Sequence, residues 1–189
     1  RDFCLSRGLG DVYKRQHQGK YDALGIILAQ EKPCGVLLGK KQAERLMSRQ
    51  VCGLIDAVVI DLDNNRDKVR AIMDVTRQVK SGRNFLIFPE GGYTDNKNEL
   101  QEFQAGCFSC SLQTKTPIVP IALFDSYKSM NSNTFERVDT QVHFLKPILY
   151  SEYGELKKKE VAKLVKSRIE ERMAQIKAGE INESYELIG

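Results

Sequence analysis

The sequence lacks the features of several large protein classes. No apolar stretch approaches the roughly 20 residues of a membrane-spanning helix, so no bilayer crossing is predicted within it. The five cysteines are odd in number and scattered, which indicates small buried residues in a reducing cytoplasm and no disulfide framework. The net charge is only +4, which is too small to indicate a nucleic-acid partner. It fits mild attraction to anionic lipid or a phosphorylated ligand, and it fits an ordinary surface better.

The composition is that of a soluble globular chain. Its 189 residues, of which 41% are hydrophobic and 29% charged, are enough for one α/β domain but short for two. Residues 1–16 have no apolar period, and we interpret them as a leader that is non-native or disordered. The natural protein is therefore expected to extend further upstream. The predicted domain covers residues 17–177, and residues 178–189 are expected to form a loose tail.

Short apolar runs alternate with segments of helical period. The predicted strands are residues 34–39, 57–61, 85–88, 118–124 and 140–148. The predicted helices are residues 22–30, 42–50, 103–112 and 155–176, and one that begins at an Asn64 or Asn65 cap and ends at Gly82. In that capped helix, helical spacing is kept by the side chains of Val69, Ile72, Met73, Thr76 and Val79. Such alternation predicts a single α/β domain, with a mostly parallel sheet flanked by helices on both faces.

Two cysteines have the C-x-x-C spacing that zinc and redox sites use, Cys107 and Cys110. The sequence offers no second pair, and the surrounding pattern is that of a helix interior. Core packing is therefore the favoured interpretation, and no metal site is predicted.

A histidine and an aspartate stand at the front of the apolar pattern, His17 and Asp22. A histidine with a carboxylate close by can take a proton from an alcohol. On a continuous helix, residues five apart lie about 140° apart around the axis, so these two can meet only if the chain turns between them. Gly19 permits that turn, and Asp22 would then lie near a helix start. The alternative is a surface histidine beside an N-capping aspartate. The second histidine, His143, lies in mid-strand and is interpreted as structural.

A proline, a glutamate and two glycines follow the apolar run 85–88, as Pro89-Glu90-Gly91-Gly92. Ligands of open parallel sheets bind beyond the carboxyl ends of the strands. The glycines would expose backbone N–H groups to an oxygen-rich ligand. Glu90 would then accept a hydrogen bond from a ligand hydroxyl or hold the loop. A plain turn is the alternative interpretation.

The sequence resembles the glycerolipid acyltransferases, and among them the bacterial enzymes that acylate 1-acyl-glycerol-3-phosphate, in four ordered blocks. These blocks are His17-Gln-Gly-Lys-Tyr-Asp22, Val59-Ile60-Asp61, Phe88-Pro89-Glu90-Gly91 and Val119-Pro120-Ile121. The resemblance implies their α/β fold and transfer of a fatty acyl group from acyl-CoA or acyl carrier protein to a lysophospholipid hydroxyl. It implies no metal and no prosthetic group, because the acyl donor is a substrate.

The resemblance also implies a role for individual residues. His17 would be the general base and Asp22 its orienting partner. The acceptor would be bound by Glu90, Gly91 and Gly92, while the acyl-donor side would be lined by Val119, Pro120 and Ile121. The work would take place at the cytoplasmic face of the membrane, where the chain would be peripheral or anchored through a missing N-terminal segment.

The sequence departs from the family pattern in three places. Gln16 replaces the usual asparagine, Leu62 stands where the second block ends in arginine, and Gly92-Tyr93 replaces Thr-Arg. The resemblance implies that those arginines bind the acceptor phosphate, and a charge-assisted contact contributes about 1.5–3 kcal/mol. Lys40, Lys41 or Arg66 would compensate for the loss, or the headgroup differs. The alternatives are therefore a non-catalytic protein that binds lipid or acyl donor, and an acyltransferase for a non-phosphorylated acceptor.

Overall fold

Strands and helices alternate along the chain as predicted. The structure, a computed structural model, describes residues 12–15, 22–29, 32–43, 57–91, 97–128 and 139–180. The strands are β1 (Val12–Arg15), β2 (Cys34–Gly39), β3 (Val58–Ile60), β4 (Asn84–Ile87), β5 (Ile118–Phe124) and β6 (Gln141–Phe144). The helices are α1 (Asp22–Ala29), α2 (Lys40–Ala43), α3 (Asn65–Lys80), α4 (Ser109–Thr114), α5 (Tyr150–Tyr153) and α6 (Lys158–Lys177). A 3₁₀ turn at Ala105–Phe108 leads into α4.

The six strands form one sheet in the order β3-β2-β4-β1-β5-β6. Every neighbouring pair is parallel except β5 and β6, which run antiparallel. Tyr13 in β1 is in register with Leu86 in β4 and with Val119 in β5. The carboxyl ends of the five parallel strands therefore lie along one edge of the sheet, with β1 flanked by β4 and β5. This confirms the predicted α/β fold with a mostly parallel sheet.

Helices pack on both faces of the sheet. On one face, Val75 and Val79 of α3 share a core cluster with Phe85, and Val165 of α6 shares another with Ile118. On the opposite face, Ile26 of α1 packs with buried side chains of β2, β4 and β5: Val36, Leu86 and Ile121. Burial from two sides explains why the central strands are apolar at nearly every position.

One part of the predicted leader belongs to the fold. Residues 1–16 were excluded from the domain, but Val12–Arg15 form β1 at the centre of the sheet, and Val12 is fully buried. The exclusion was wrong for these four residues. Strand pairing uses backbone groups that every residue except proline carries, so a segment without an apolar period can still form a strand. For the same reason, the pairing does not decide whether the leader is native. Residues 1–11 and 16–21 lie outside the described residues, so the other domain boundaries stay predictions.

The predicted N-cap and C-terminal end of α3 are confirmed. Asn64 is the N-cap, and its Oδ1 accepts hydrogen bonds from the N–H groups of Arg66 at 3.0 Å and Asp67 at 3.3 Å. The helix ends at Lys80, and Gly82 follows with a φ of +91°. The buried side of α3 differs from the predicted apolar series. Its buried residues are Ala71, Val75, Thr76 and Val79, whereas Val69 is 61% exposed and Met73 is 62% exposed.

Other boundaries shift by a few residues. The helix expected from residue 155 begins at Lys158, because Lys157 is its N-cap. The strand expected over 140–148 is β6 followed by a separate bridge between Ile148 and Ile118. Of the helix expected at 42–50, the structure describes α2, and residues 44–50 lie outside the described part. Within the described ranges, no helix is long and apolar enough to cross a bilayer.

The tight approach of β2 to β4 gives a test of the core. A Cβ added at Gly35 would lie 2.5 Å from Cε2 of Phe85, whose side chain is fully buried. We expect Gly35→Ala to lower the free energy of unfolding by about 1–3 kcal/mol, since the Phe85 ring cannot move without disturbing its neighbours. Urea denaturation measures the change. The matched control is Gly106→Ala, where a Cβ meets nothing within 4 Å. Equal midpoints for the two variants would contradict this packing.

Candidate functional site

The candidate site lies where the three central strands end. β4 is followed by the block Phe88 to Gly91, β5 by Asp125 and Ser126, and β1 by the segment that leads into α1 at Asp22. Because β1 lies between β4 and β5, the carboxyl ends of these three strands are neighbours on one stretch of the sheet edge. This is the region where open parallel sheets bind ligands. His17 belongs to the connection between β1 and α1, but it lies outside the described residues.

Asp22 is the first residue of α1 and is 1% exposed. An acidic side chain in the first turn interacts favourably with the helix dipole. Its Oδ1 accepts a hydrogen bond from Oγ of Ser126 at 2.7 Å, and Ser126 is 2% exposed. The expectation that Asp22 lies at a helix start is confirmed. That Asp22 orients the His17 ring stays a prediction.

Glu90 is buried at the end of β4, and it holds the segment that follows. Its Oε1 accepts a hydrogen bond from the backbone N–H of Gln101 at 3.1 Å. The carbonyl of Pro89 accepts a second one from the N–H of Gln104 at 2.7 Å. Of the two roles considered for Glu90, holding the loop is therefore seen in the structure, and contact with a ligand hydroxyl stays a prediction.

Gly91 has a φ of +73°, in the left-handed region. A Cβ there would meet nothing closer than Cγ of Gln104 at 3.5 Å, so the backbone conformation and not space favours glycine. Gly92 lies outside the described residues. Binding of the acceptor by these two glycines stays a prediction.

Sequence reasoning missed a reciprocal pair that joins the β4 and β5 ends. Nδ2 of Asn98 donates to Oδ1 of Asp125 at 2.9 Å, and the N–H of Asp125 donates to Oδ1 of Asn98 at 2.9 Å. Nζ of Lys128 binds Oδ2 of Asp125 at 2.7 Å, and this hydrogen bond raises the pKa of the lysine. The position of Asp125 and Ser126 directly after a predicted strand was the available signal. Their partners could not be read from the sequence.

The cations proposed to replace the missing arginines lie elsewhere on this edge. Nζ of Lys40 is 3.7 Å from Oδ2 of Asp61, and Nζ of Lys41 is 3.6 Å from Oδ2 of Asp63. Both pairs join the ends of β2 and β3. Lys40 and Lys41 follow β2, which lies beside β4, and two strand spacings separate the β2 end from the β1 end, about 10 Å. Arg66 is exposed in the first turn of α3. Acceptor binding by Lys41 and Arg66 stays a prediction.

The fourth block lies inside β5. Val119, Pro120 and Ile121 are all buried, and Ile121 packs in the core cluster beneath α1. Their packing role is plain in the structure, and their predicted contact with the acyl donor stays a prediction. Cys110 is fully buried, in agreement with core packing. Across the described ranges, no group of three or more His, Cys, Asp or Glu side chains could hold a metal ion.

Comparisons with known proteins agree with this architecture. A sequence model of the acyltransferase family matches residues 10–124, more than half of the chain. The chain is 26% identical over 167 residues to the 1-acyl-sn-glycerol-3-phosphate acyltransferases of Escherichia coli and Salmonella typhimurium, covering 87% of this chain and 67% of each relative. The crystal structure of the 1-acyl-sn-glycerophosphate acyltransferase of Thermotoga maritima is similar, with a TM-score of 0.69 and 15% identity. That match covers 90% of this chain and 67% of the other, and it shows a shared fold.

Proposed function

This chain belongs to the acyltransferase family, and from this we propose that it transfers a fatty acyl group from a thioester to a lysophospholipid hydroxyl. The donor would be acyl-CoA or acyl carrier protein. The acceptor would be 1-acyl-glycerol-3-phosphate and the product phosphatidic acid, as the names of the two bacterial relatives suggest. The observation that carries the proposal is the buried Asp22 carboxylate, which is fixed at the carboxyl edge of the sheet five residues after His17.

The chemistry assigned to this edge is direct transfer. His17 takes the proton of the acceptor hydroxyl while that oxygen attacks the thioester carbonyl. The carbon–sulfur bond then breaks, and the imidazolium returns the proton to the leaving thiolate. Asp22 accepts from the other ring nitrogen, which selects the tautomer and stabilises the charged ring. The products are an ester and a free thiol, so no external oxidant or reductant is required.

The test follows thiol release from long-chain acyl-CoA by the natural full-length protein, with and without lyso-lipids. We expect release to depend on the acceptor and to accompany formation of the diacyl product. A rate equal to the no-enzyme blank for every acceptor would refute the proposal. Tight lyso-lipid binding that is unchanged by His17→Ala, again without turnover, would instead support a non-catalytic lipid-binding protein.

One observation favours a second candidate, an acyltransferase for a non-phosphorylated acceptor. Both lysines at the β2 end are already paired with carboxylates, Lys40 with Asp61 and Lys41 with Asp63. An acidic partner reduces the attraction of a lysine for phosphate. The acceptor panel should therefore include a lyso-lipid that has a neutral headgroup. Faster turnover of this lipid than of 1-acyl-glycerol-3-phosphate would select the second candidate.

We also propose that the protein acts at the cytoplasmic face of the membrane, because its acceptor and product would be lipids. The outer side of α3 supports contact with an anionic surface. Its exposed charged residues are all basic: Arg66, Arg70, Arg77 and Lys80. Between them lie the exposed side chains of Val69 and Met73, which line an open groove of about 490 Å³ together with Asn65, Arg66, Arg70 and Asp74. Both acidic residues of α3 are engaged, Asp67 with the N–H of Asp61 and Asp74 with Arg77. Basic and apolar residues together are typical of a lipid-contacting helix.

Binding to vesicles that contain phosphatidylglycerol measures this contact. We expect the double variant Arg66→Gln/Arg70→Gln to bind such vesicles about 30-fold more weakly, since each basic residue near an anionic surface contributes roughly 1 kcal/mol. The control is Lys158→Gln/Lys159→Gln, which removes the same charge from the exposed start of α6. Equal weakening by the two double variants would show a net-charge effect and no contact by α3.

A further inference from the structure

We propose that Ser126 is a positioning residue that fixes the carboxylate of Asp22 for the reaction. The inference rests on the proposed function, because it gives Asp22 its role beside His17. Ser126 would touch neither substrate. It would act through the hydrogen bond from its Oγ to Oδ1 of Asp22, at 2.7 Å.

The burial of this pair is the first argument. Asp22 is 1% exposed and Ser126 is 2% exposed, so water is largely kept from both groups. A buried carboxylate is costly unless hydrogen bonds compensate it, and a hydrogen bond to a charged group contributes about tenfold to hundredfold in an equilibrium constant. The hydrogen bond from the serine hydroxyl therefore stabilises the Asp22 carboxylate more than the same bond would on a surface.

The bond also joins two different structural elements. Asp22 belongs to α1, which packs on one face of the sheet, whereas Ser126 follows the end of β5, 104 positions along the chain. The dipole of α1 favours the negative charge but does not fix the rotation of the carboxylate plane. A donor from a different element constrains it, because Oδ1 points toward the β5 end. The orientation of Oδ2, and of any group bound to it, is then set as well.

Ser126 is itself held firmly, which is the third argument. The preceding residue, Asp125, has a φ of +59°, and its N–H and Oδ1 are both bonded to the side chain of Asn98. The N–H of Lys128 donates to the carbonyl of Asp125 at 3.0 Å and closes the turn. Asn98 lies three residues before Gln101, whose N–H binds Glu90. Asp22 is thus bonded to the segment that follows β5. That segment is bonded through Asn98 to the loop that binds Glu90.

The consequence for catalysis is a loss in kcat and not in KM. A general base must be held in a narrow orientation, and a displacement of 1 Å costs about 10²-fold in rate. Loosening Asp22 would displace the His17 ring without removing any contact to acceptor or donor. We therefore expect Ser126→Ala to lower kcat about tenfold to hundredfold and to leave both KM values within about twofold.

The deciding experiment is a double-mutant cycle with Ser126→Ala and Asp22→Ala. If Ser126 acts through Asp22, Ser126→Ala should change kcat by less than about twofold in the Asp22→Ala background. The matched control is Ser111→Ala, because the Ser111 hydroxyl is also buried and has no hydrogen-bond partner among the described residues. This control should keep the wild-type kcat. An equal loss of kcat in both backgrounds, or a loss confined to KM, would overturn the inference.

The same four proteins are then unfolded in urea, a measurement that needs no turnover. We expect the two substitutions to be coupled by about tenfold or more in the unfolding equilibrium constant. Additive effects would show that the bond does not fix Asp22 and would overturn the inference. If wild type transfers no acyl group, the proposed function fails, while the unfolding cycle still decides whether Ser126 holds Asp22. If Asp22→Ala does not fold, the kcat and KM of Ser126→Ala against Ser111→Ala decide it.

Discussion

Replacing His17 with alanine is expected to lower kcat/KM for acyl transfer by about 10²–10⁴-fold without unfolding the protein, since this is the usual contribution of a positioned general base. The two described carboxylates of the site, Asp22 and Glu90, both already accept hydrogen bonds. Asp22 is buried and bonded to Ser126, and the nearby Glu90 is bonded to the N–H of Gln101. Initial rates of thiol release and the circular-dichroism spectrum of the variant measure the two parts of the prediction.

The chain supplies its own control, because it contains two histidines. His143 lies in the antiparallel strand β6, and its Nε2 is 2.9 Å from Oε1 of Gln141. Burial and the positive charge of Arg172 lower its pKa, which favours the neutral ring. His143→Ala should keep most of the activity. Comparable losses of kcat/KM in the two variants would contradict the assignment of His17 as the general base.

Replacing Glu90 with alanine is expected to lower kcat/KM by about tenfold to hundredfold, because a hydrogen bond to a charged group contributes about 1.5–3 kcal/mol. The N–H of Gln101 would lose its acceptor, and the segment that carries Asn98 would loosen. Hydrogen exchange at the Gln101 amide should accelerate in parallel with the loss of activity.

Glu90→Gln separates the two roles that this side chain could have. The glutamine amide oxygen can still accept from the N–H of Gln101, so the loop and its slow exchange should be retained. If Glu90 only holds the loop, Glu90→Gln should then keep most of the activity. A large loss with slow exchange retained would mean that the carboxylate contacts the acceptor. The matched control is Glu102→Ala, because Glu102 is exposed on the same loop and pairs with Lys166, which lowers its pKa. A loss in this control equal to that of Glu90→Ala would make the effect unspecific.

Function is tied to the packing of the sheet as much as to the site residues. Asp22, Ser126 and Glu90 lie on three segments that meet because β1 is inserted between β4 and β5. The core beneath them is fixed by side chains such as Phe85 and Ile121, which are fully buried on opposite faces. Variants that disturb this packing should therefore lose activity even where no site residue is changed.

The sequence by itself determined the local elements. The strand Cys34–Gly39 was predicted at its observed bounds, and the Asn64 cap and Gly82 end of α3 were correct. The long helix α6 was found from its apolar stripe, which is buried as expected at Val161, Val165, Ile169, Met173 and Ile176. These features depend on neighbours within about one helical turn, and a sequence records such neighbours directly.

Only the tertiary structure decided which segments that are distant in sequence contact one another. Residues 12–15 showed no apolar period, and yet they form the central strand, because the position between β4 and β5 is filled through backbone hydrogen bonds. Val69 and Met73 kept a helical spacing but face outward, because the sheet contacts the opposite side of α3. The bond between Ser126 and Asp22 joins residues 104 positions apart. Strand order sets such contacts, and strand order follows from the total burial of the fold and not from any local pattern.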